Sequence, residues 1–463
     1  MHLNYRFKQC ILLFGDLASF VVAFWFSLFI RHFTIPTSHE LEGHFMQFVL
    51  VFLLWIILNF INGLYDLEKQ NNTLAFYRRV LETAGIAFVT SIIFFYILPI
   101  GRLTPKTILA LNILLGYGLM SLWRFSYTSV VGVRRLQTRV VLIGFTEESK
   151  DLLDILESQP DRGYRIVSLI DPSRAVKSVD FPNIDVYHGL NTVRPAITNY
   201  KANMVVIAPQ LERDPEALRE LYQLLFWQVQ IIDLASFYEM VTGRIPPSTF
   251  SEAWFLEHLR NARQPIYDRV RVSTDFLIGI AMFALFISLL PFIALAIKLS
   301  SPGPIFIKQK RIGQGGSPFT LYKFRSMYAL SEDGSAEVGG VQFAQKNDQR
   351  ITSVGKFLRK IRLDELPQVI NLLKRDVTLI GPRPERPEIM SELEKRMPYY
   401  PLRHLVRPGL TGWALIHQNY TDNYDTSLQK LQYDLYYIKN RSLFLDLSIF
   451  LRTINVIIRL MGQ

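Results

Sequence analysis

Two adjacent carboxylates, Asp364 and Glu365, stand in "GKFLRKIRLDELPQVINLLKRD" (355–376), just after Arg359, Lys360 and Arg362. Leu366, Val369, Ile370 and Leu373 recur at helical spacing and predict a helix that begins near Asp364. Asp is a favoured N-cap and proline is tolerated in a first turn, so capping alone suffices for Asp364. It does not account for Glu365 among three cations. A helix N-terminus offers free N–H groups and a positive dipole end to a phosphate. An ionised carboxylate there can attack phosphorus and form an acyl phosphate. Magnesium held by the same carboxylates would offset their repulsion from a diphosphate. These residues alone leave both readings open: a capped surface helix, and a nucleophile facing a phosphate.

Other cations sit where phosphate chemistry would want them. "QKRIGQGGSPFTLYKFRSM" carries Arg311, Lys323 and Arg325 around a glycine-containing turn. "IGPRPERPE" fixes Arg383 between prolines, and "HLVRPGLTGWA" sets Arg407 before one. Arginines on rigid turns suit fork-like phosphate contacts, though any one of them is equally a solvated basic turn. His404 reads as a packing or phosphate-adjacent residue rather than a metal ligand, because no second histidine stands near it.

The elements that must position these groups belong to a mixed chain. Its 463 residues are enough for two or three domains, 49% are hydrophobic and 20% charged. That is too apolar for a purely soluble protein and too charged for a pure membrane bundle. A net charge of +11, from 51 basic and 40 acidic residues, suits anionic partners: nucleic acid, anionic lipid or phosphorylated substrates. The single cysteine, Cys10, excludes an intrachain disulfide and a Cys-ligated zinc.

Four apolar stretches, roughly 9–30, 45–65, 80–100 and 107–131, each approach the length that crosses a bilayer. Asp16, Glu82 and Arg124 interrupt them and are expected near span ends or facing other helices. No small-residue cleavage site closes the first stretch, so it reads as a retained span. Arg6, Lys8, Lys69, Arg78, Arg79, Arg134, Arg135 and Arg139 flank alternate ends, whereas the other loops hold Glu40 and Glu42, or only Arg102 and Lys106. The positive-inside rule then places both ends of the bundle in the cytoplasm.

Residues 138–235 alternate apolar strands ("RVVLIGF", "YRIVSLID", "NMVVIAP", "VQIIDL") with helical patterns, the signature of a parallel α/β sheet. The first turn, "GFTEES", has one glycine and two acids where a dinucleotide fingerprint needs G-x-G-x-x-G. The module reads as degenerate and Rossmann-like, with a regulatory or scaffolding role. A linker leads to the apolar run 273–304, which is long enough to span. It is flanked by Arg260, Arg263, Arg269 and Arg271 on one side and Lys298, Lys308, Lys310 and Arg311 on the other. Cations at both ends, with Pro291 inside, suggest a re-entrant helix that enters one leaflet, bends at Pro291 and leaves again. The expected organisation is a four-helix membrane region (1–135), an α/β domain (136–240), a linker (241–270) and a monotopic α/β-type domain with a re-entrant helix (271–463).

"SPGPIF", "QKRIGQGGSPFTLYKFRSM", "RITSVGKFLRKIRLDELPQVINLLKRDVTLIGPRPE", "RPGLTGWA" and "YDLYYIKNRSLFLDLSIFLRT" follow in that order over about 270–460. In these motifs the chain resembles the bacterial sugar transferase family, the polyprenyl-phosphate phosphoglycosyl transferases with one membrane-inserted hairpin, in their long form. The resemblance implies transfer of a hexose 1-phosphate, with glucose the expected sugar, from a UDP-sugar donor to undecaprenyl phosphate at the cytoplasmic face of the bacterial inner membrane. UMP would be released, and the product would start an exopolysaccharide or capsule unit.

By the family pattern Asp364 would be the nucleophile and Glu365 its partner, the two sharing Mg2+. Arg359, Arg383, Arg407, Lys323, Arg325 and Arg311 would hold phosphates, and Asp434 would orient an arginine or contact substrate. The family often carries Ser-Pro at the hairpin bend, and here it is Leu290-Pro291. The lipid bilayer is an expected partner, a homodimer is open, and nucleic acid is not expected. The last segment, 442–462, with Arg452 and Arg459, either lies along the membrane surface or packs into the catalytic domain. A membrane-anchored nucleotide-sugar dehydratase would need a glycine fingerprint followed by Tyr-x-x-x-Lys. The matching pair, Tyr65 and Lys69, precedes the α/β domain instead. A scaffold with a vestigial Asp–Glu site is the non-catalytic alternative.

Overall fold

The computed structural model describes residues 2–458 apart from 66–73, 98–105, 132–136, 160–163, 177–180, 212–213, 228, 260–263, 331–347 and 419–423. Lys69, Arg102, Arg134, Arg135, Arg260, Arg263 and Arg459 lie outside the described residues, as do the side chains of Arg6, Lys8 and Lys106. The chain forms two compact units, Met1–Phe237 and Tyr238–Gln463.

The first unit opens with four apolar helices: α1 (His2–His32), α2 (Ser38–Ile61), α3 (Leu74–Ile97) and α4 (Lys106–Val131). Helix α2 starts earlier than hydropathy alone indicates, because Thr37 and Glu40 close a reciprocal capping box. Phe20, Phe52, Trp55 and Tyr117 meet ring to ring in the interior. Asp16 and Arg124 also meet there, both buried: Arg124 Nε donates to Asp16 Oδ1 at 3.0 Å, Nη2 to Oδ2 and Nη1 to the Leu64 carbonyl. Removing one member of such a pair leaves an uncompensated charge and costs about 3–5 kcal/mol. Glu82 stays outside, paired with Arg78 at 3.1 Å on the exposed side of α3.

The rest of this unit is an all-parallel sheet of β1 (Thr138–Ile143), β2 (Tyr164–Ile170), β3 (Asp185–Tyr187), β4 (Met204–Ile207) and β5 (Gln230–Asp233), in the order β3-β2-β1-β4-β5. Helices α5 (Glu147–Ser158), α6 (Val193–Tyr200) and α7 (Pro215–Leu224) connect the strands. The apolar runs read from the sequence become buried central strands: Val140, Val141, Leu142, Met204, Val205 and Val206 are fully covered.

Helix α8 (Leu234–Thr242) carries the chain across the boundary; in the second unit α9 (Glu252–Leu259) precedes α10 (Pro265–Ser300), a single 36-residue helix that continues through Pro291. Its length and apolarity suffice to cross a membrane, as do Gln9–His32, Ser38–Ile61 and Thr107–Ser129. Ile245, Phe255 and Leu259 pack with Ile380, Tyr400 and Leu435 in one core, so residues 241–270 are no free linker: their apolar side chains complete the second unit. Downstream come the antiparallel hairpin β6 (Phe306–Ile312) and β7 (Pro318–Phe324), then α11 (Ser353–Lys360), a 3-10 turn (Leu363–Gln368) and α12 (Val369–Lys374). Strands β8 (Thr378–Ile380) and β9 (Gly409–Thr411) pair in parallel around α13 (Pro387–Arg396). Helices α14 (Trp413–His417), α15 (Tyr424–Asn440) and α16 (Leu443–Ile458) close the chain. Ile449 of α16 is fully buried in the same core as Ile380, while Leu443, Phe444 and Leu447 are exposed.

Candidate active site

The Asp364–Glu365 pair sits on the 3-10 turn, not at an α-helix cap. Arg362 takes a left-handed backbone (φ 59°) at the end of α11, and Pro367 has no N–H to give, so the regular helix begins only at Val369. The start of the turn carries no side-chain cap, and Asp364 Oδ1 is buried without a hydrogen-bond partner among the described residues. The capping-only reading therefore fails on geometry. Leu366 and Val369 anchor the turn against Phe286, Ile293 and Ile297 of α10, alongside Phe324 of β7 and Leu358 of α11.

Glu365 is held firmly where Asp364 is not. Its Oε1 accepts from Arg383 Nη2 at 2.7 Å and from Lys323 Nζ at 3.2 Å, with Arg362 Nη1 at 3.9 Å. Cross-strand partners share a face, so the register Ile307↔Lys323 and Arg311↔Phe319 puts Arg311 and Lys323 on one side of the hairpin. Arg311 donates Nη1 to the Pro384 carbonyl at 3.0 Å and so braces the loop that carries Arg383. Arg359, in the last turn of α11, has a buried Nη1 with no partner among the described residues.

This electrostatic setting divides the two acids. Burial and then the neighbouring Glu365 charge push Asp364 up to about 6, against the pull of Lys323, Arg359 and Arg362. Burial alone would raise Glu365 too, but Arg383, Lys323 and Arg362 outweigh it and hold that carboxyl well below its usual range. Burial lowers Arg311 to about 10 and also lowers Lys323, the latter against the attraction of Glu365. The result is a locked carboxylate beside one with an unengaged oxygen, ringed by five cationic side chains. That suits an incoming ligand with several negative charges.

Two residues expected to hold phosphate, Arg325 and Arg407, and Asp434, expected to orient an arginine or contact substrate, make their contacts elsewhere. Arg325 is 2% exposed and gives Nη1 to the Pro302 carbonyl at 2.6 Å and Nη2 to that of Ser301 at 2.7 Å, so it caps the C-terminal end of α10. Gly303 (φ 121°) makes room for it, since a Cβ there would lie 2.1 Å from Arg325 Nη1. Arg407 has no hydrogen bond or ion pair to either acid among the described residues, and its charge acts on Asp275 of α10. Asp434 is buried and accepts from Arg403 Nη2 at 2.6 Å. The arginine that Asp434 orients is therefore Arg403, which sequence reasoning missed.

Arg403 also donates to Glu385 Oε1 at 3.1 Å and to the Arg383 carbonyl at 3.0 Å, while Lys430 pairs with Glu385. Of this network only Asp434 was singled out in the sequence, as a residue that would orient an arginine. Arg403, in "YYPLRHL", carries no spacing cue. Of the two readings of His404 the structure gives packing: it is buried against Met390 Sδ at 3.5 Å and pushed down to about 4 by that burial.

Among the described residues no group of three or more His, Cys, Asp or Glu side chains gathers to hold a metal. Magnesium is commonly bound by one or two carboxylates together with substrate phosphates. The unengaged Asp364 Oδ1 fits that role, whereas Glu365 Oε1 is taken by Arg383 and Lys323.

Comparison with known proteins agrees with the motif order. Residues 266–460 match the family model described as bacterial sugar transferase, and 60–232 match one described as a CoA-binding domain. The residues of the latter do not fit a nucleotide diphosphate. Glu147 and Glu148 fill the first turn of α5, and Thr146 already caps Ser149 N. A Cβ at Gly144 (φ 87°) would lie 2.7 Å from Ala208 Cβ and 3.0 Å from Leu211 Cδ1, so the β1 turn is packed shut against the chain after β4.

A UDP-N-acetylgalactosamine-undecaprenyl-phosphate N-acetylgalactosaminephosphotransferase of Aeromonas hydrophila is 39% identical over 236 residues, 50% of this chain and 52% of that protein. A UDP-glucose:undecaprenyl-phosphate glucose-1-phosphate transferase of Xanthomonas campestris pv. campestris is 43% identical over 173 residues, 37% of this chain and 34% of that protein. The chain thus matches about half, or less, of the length of these two relatives. The exopolysaccharide production protein PSS of Rhizobium leguminosarum bv. phaseoli is 37% identical over 187 residues, 39% of this chain and 88% of that protein. With 88% of that relative matched, and the Asp–Glu turn and its locking cations inside the family-model match at 266–460, the chain belongs to the bacterial sugar transferase family.

Proposed function

We propose that the chain transfers a hexose 1-phosphate, glucose 1-phosphate in the first instance, from a UDP-sugar to undecaprenyl phosphate. The observation that carries this reading is the contrast between the acids: Glu365 is fixed by Arg383 and Lys323, while Asp364 Oδ1 is buried with nothing to bond. Asp364 attacks the sugar-bearing phosphorus, the P–O bond to the UMP phosphate breaks, and UMP leaves with that oxygen. A phosphate oxygen of undecaprenyl phosphate then attacks the same phosphorus. The acyl-phosphate bond breaks, the Asp364 carboxylate is restored, and undecaprenyl-diphosphate-sugar forms.

Arg383, Lys323, Arg311 and Arg359 hold the phosphoryl oxygens as charge shifts among them. Glu365 keeps Arg383 and Lys323 aimed. Mg2+, when bound at Asp364 with the phosphates, supplies charge neutralisation. The α10 helix is proposed as re-entrant at Pro291, with cations on both flanks, which keeps the catalytic unit on the cytoplasmic face of the inner membrane. The α/β module is proposed as a degenerate Rossmann-like scaffold with no bound cofactor, and self-association as a homodimer is open to it. The product would begin an exopolysaccharide or capsule repeat.

The test is UMP release from UDP-glucose by the full chain in membranes containing undecaprenyl phosphate. Asp364→Asn is expected to lower turnover by about 10³-fold or more, as loss of a nucleophile does elsewhere. Unchanged turnover in that variant would remove the proposal, and a screen of UDP-sugars assigns the hexose.

A further inference from the structure

Arg362 occupies a position where its backbone asks for a different residue. It ends α11 in the left-handed conformation (φ 59°), with its N–H on the Arg359 carbonyl at 3.2 Å and its carbonyl accepting from Glu365 N at 3.3 Å. Helices that close this way usually carry glycine, because a Cβ is disfavoured there. An arginine at such a site is kept against local preference, a pattern that clusters at ligand-binding positions.

The side chain is 30% exposed, and among the described residues its ionic partner is Glu365 Oε1 at 3.9 Å. That oxygen already receives two shorter donors, Arg383 at 2.7 Å and Lys323 at 3.2 Å. No hydrogen bond from the Arg362 guanidinium occurs among the described residues, and its charge acts on both acids of the turn. A cation with unengaged donors therefore stands two residues before Asp364, at the start of the same turn.

We propose that Arg362 is a donor-binding residue: its guanidinium takes the diphosphate of the nucleoside-diphosphate sugar when that ligand enters beside Asp364. This rests on the transferase reading above. The left-handed backbone gives a test that separates the side chain from the fold, since Arg362→Gly deletes the guanidinium while relieving the turn. The measurements are donor KM, kcat and melting temperature of the full-length protein in native-lipid nanodiscs.

Arg362→Gly is expected to raise donor KM about tenfold, the loss of one charge-assisted contact. Its melting temperature should be unchanged or higher, and the KM for undecaprenyl phosphate should be unchanged. Arg362→Asn, which also tolerates this backbone, should behave alike, and Arg362→Lys should fall between. A donor KM within twofold of the parent's overturns the inference. So does a lowered melting temperature in both the Gly and Asn variants, which would make the arginine structural. Absence of UMP release from the parent protein across UDP-sugars would instead overturn the transferase reading itself.

Discussion

At the residue scale, adjacency in sequence does not mean equivalence in chemistry. Asp364 and Glu365 share a turn, yet Glu365 meets Arg383 and Lys323 head-on while Asp364 keeps an unpartnered oxygen. The sign of the pH dependence follows. Asp364, raised to about 6 first by burial and then by the Glu365 charge, must be ionised to attack, so kcat/KM should be flat above that pH. It should fall about tenfold per unit below it. Glu365, held far lower by its three cations, stays ionised throughout that window and contributes no second limb. Initial rates of UMP release between about pH 5 and 8 check this; a profile that stays level down to about pH 5 would contradict the burial argument. The acids and most of their cations were legible in the sequence as residue types. Their division of labour was not, because it depends on which carboxylate the Arg383 loop folds onto.

At the element scale, the site is a short 3-10 turn kept in place by its neighbours. From one side α10 supplies Phe286, Ile293 and Ile297 as a floor. From the other, the loop 382–385 is braced by Arg311 at Pro384 and by Arg403 at Arg383 and Glu385. Arg403 in turn depends on Asp434 of α15, both side chains being almost wholly buried. Asp434→Ala leaves that guanidinium without its partner, and breaking a buried pair of this kind costs about 3–5 kcal/mol. Melting temperature should therefore drop together with activity, and a variant of full activity and unchanged melting would show the network to be idle.

Helical periodicity located the 364–374 segment but misjudged its geometry. The pattern holds the apolar face, whereas Pro367 and the left-handed Arg362 decide the turn type. Arg325 misled for a similar reason. In sequence it is one more cation near a glycine turn. In the fold it reaches back to the carbonyls of Ser301 and Pro302, and a gap closed only in three dimensions makes it the cap of α10.

At the scale of the whole molecule, each unit was legible to a different degree. Four apolar helices and a parallel sheet follow directly from hydropathy and strand–helix alternation, because both rest on burial of side chains within one element. The partnering of Asp16 with Arg124 could be expected only as a class, since the pairing joins helices far apart in sequence. Residues 241–270 looked like a linker because turn residues dominate them. Ile245, Phe255 and Leu259 nonetheless reach a core assembled mostly from residues beyond 380.

The sheet module matches a family model described as a CoA-binding domain, but its closed β1 turn and acidic α5 are a poor fit to a nucleotide diphosphate there. Millimolar CoA should accordingly leave the melting temperature of the detergent-purified protein unchanged. A stabilisation that saturates with CoA concentration would show a pocket the packing denies.

The covalent step is the claim on which the mechanism turns. Protein in membranes lacking undecaprenyl phosphate, mixed with UDP-glucose and quenched within the first turnover, is digested and its peptides weighed. A hexose-phosphate adduct is expected on the peptide that contains Asp364, lost when undecaprenyl phosphate is added before the quench. An adduct on any other residue, or UMP release that strictly requires the lipid acceptor with no adduct at all, would contradict it.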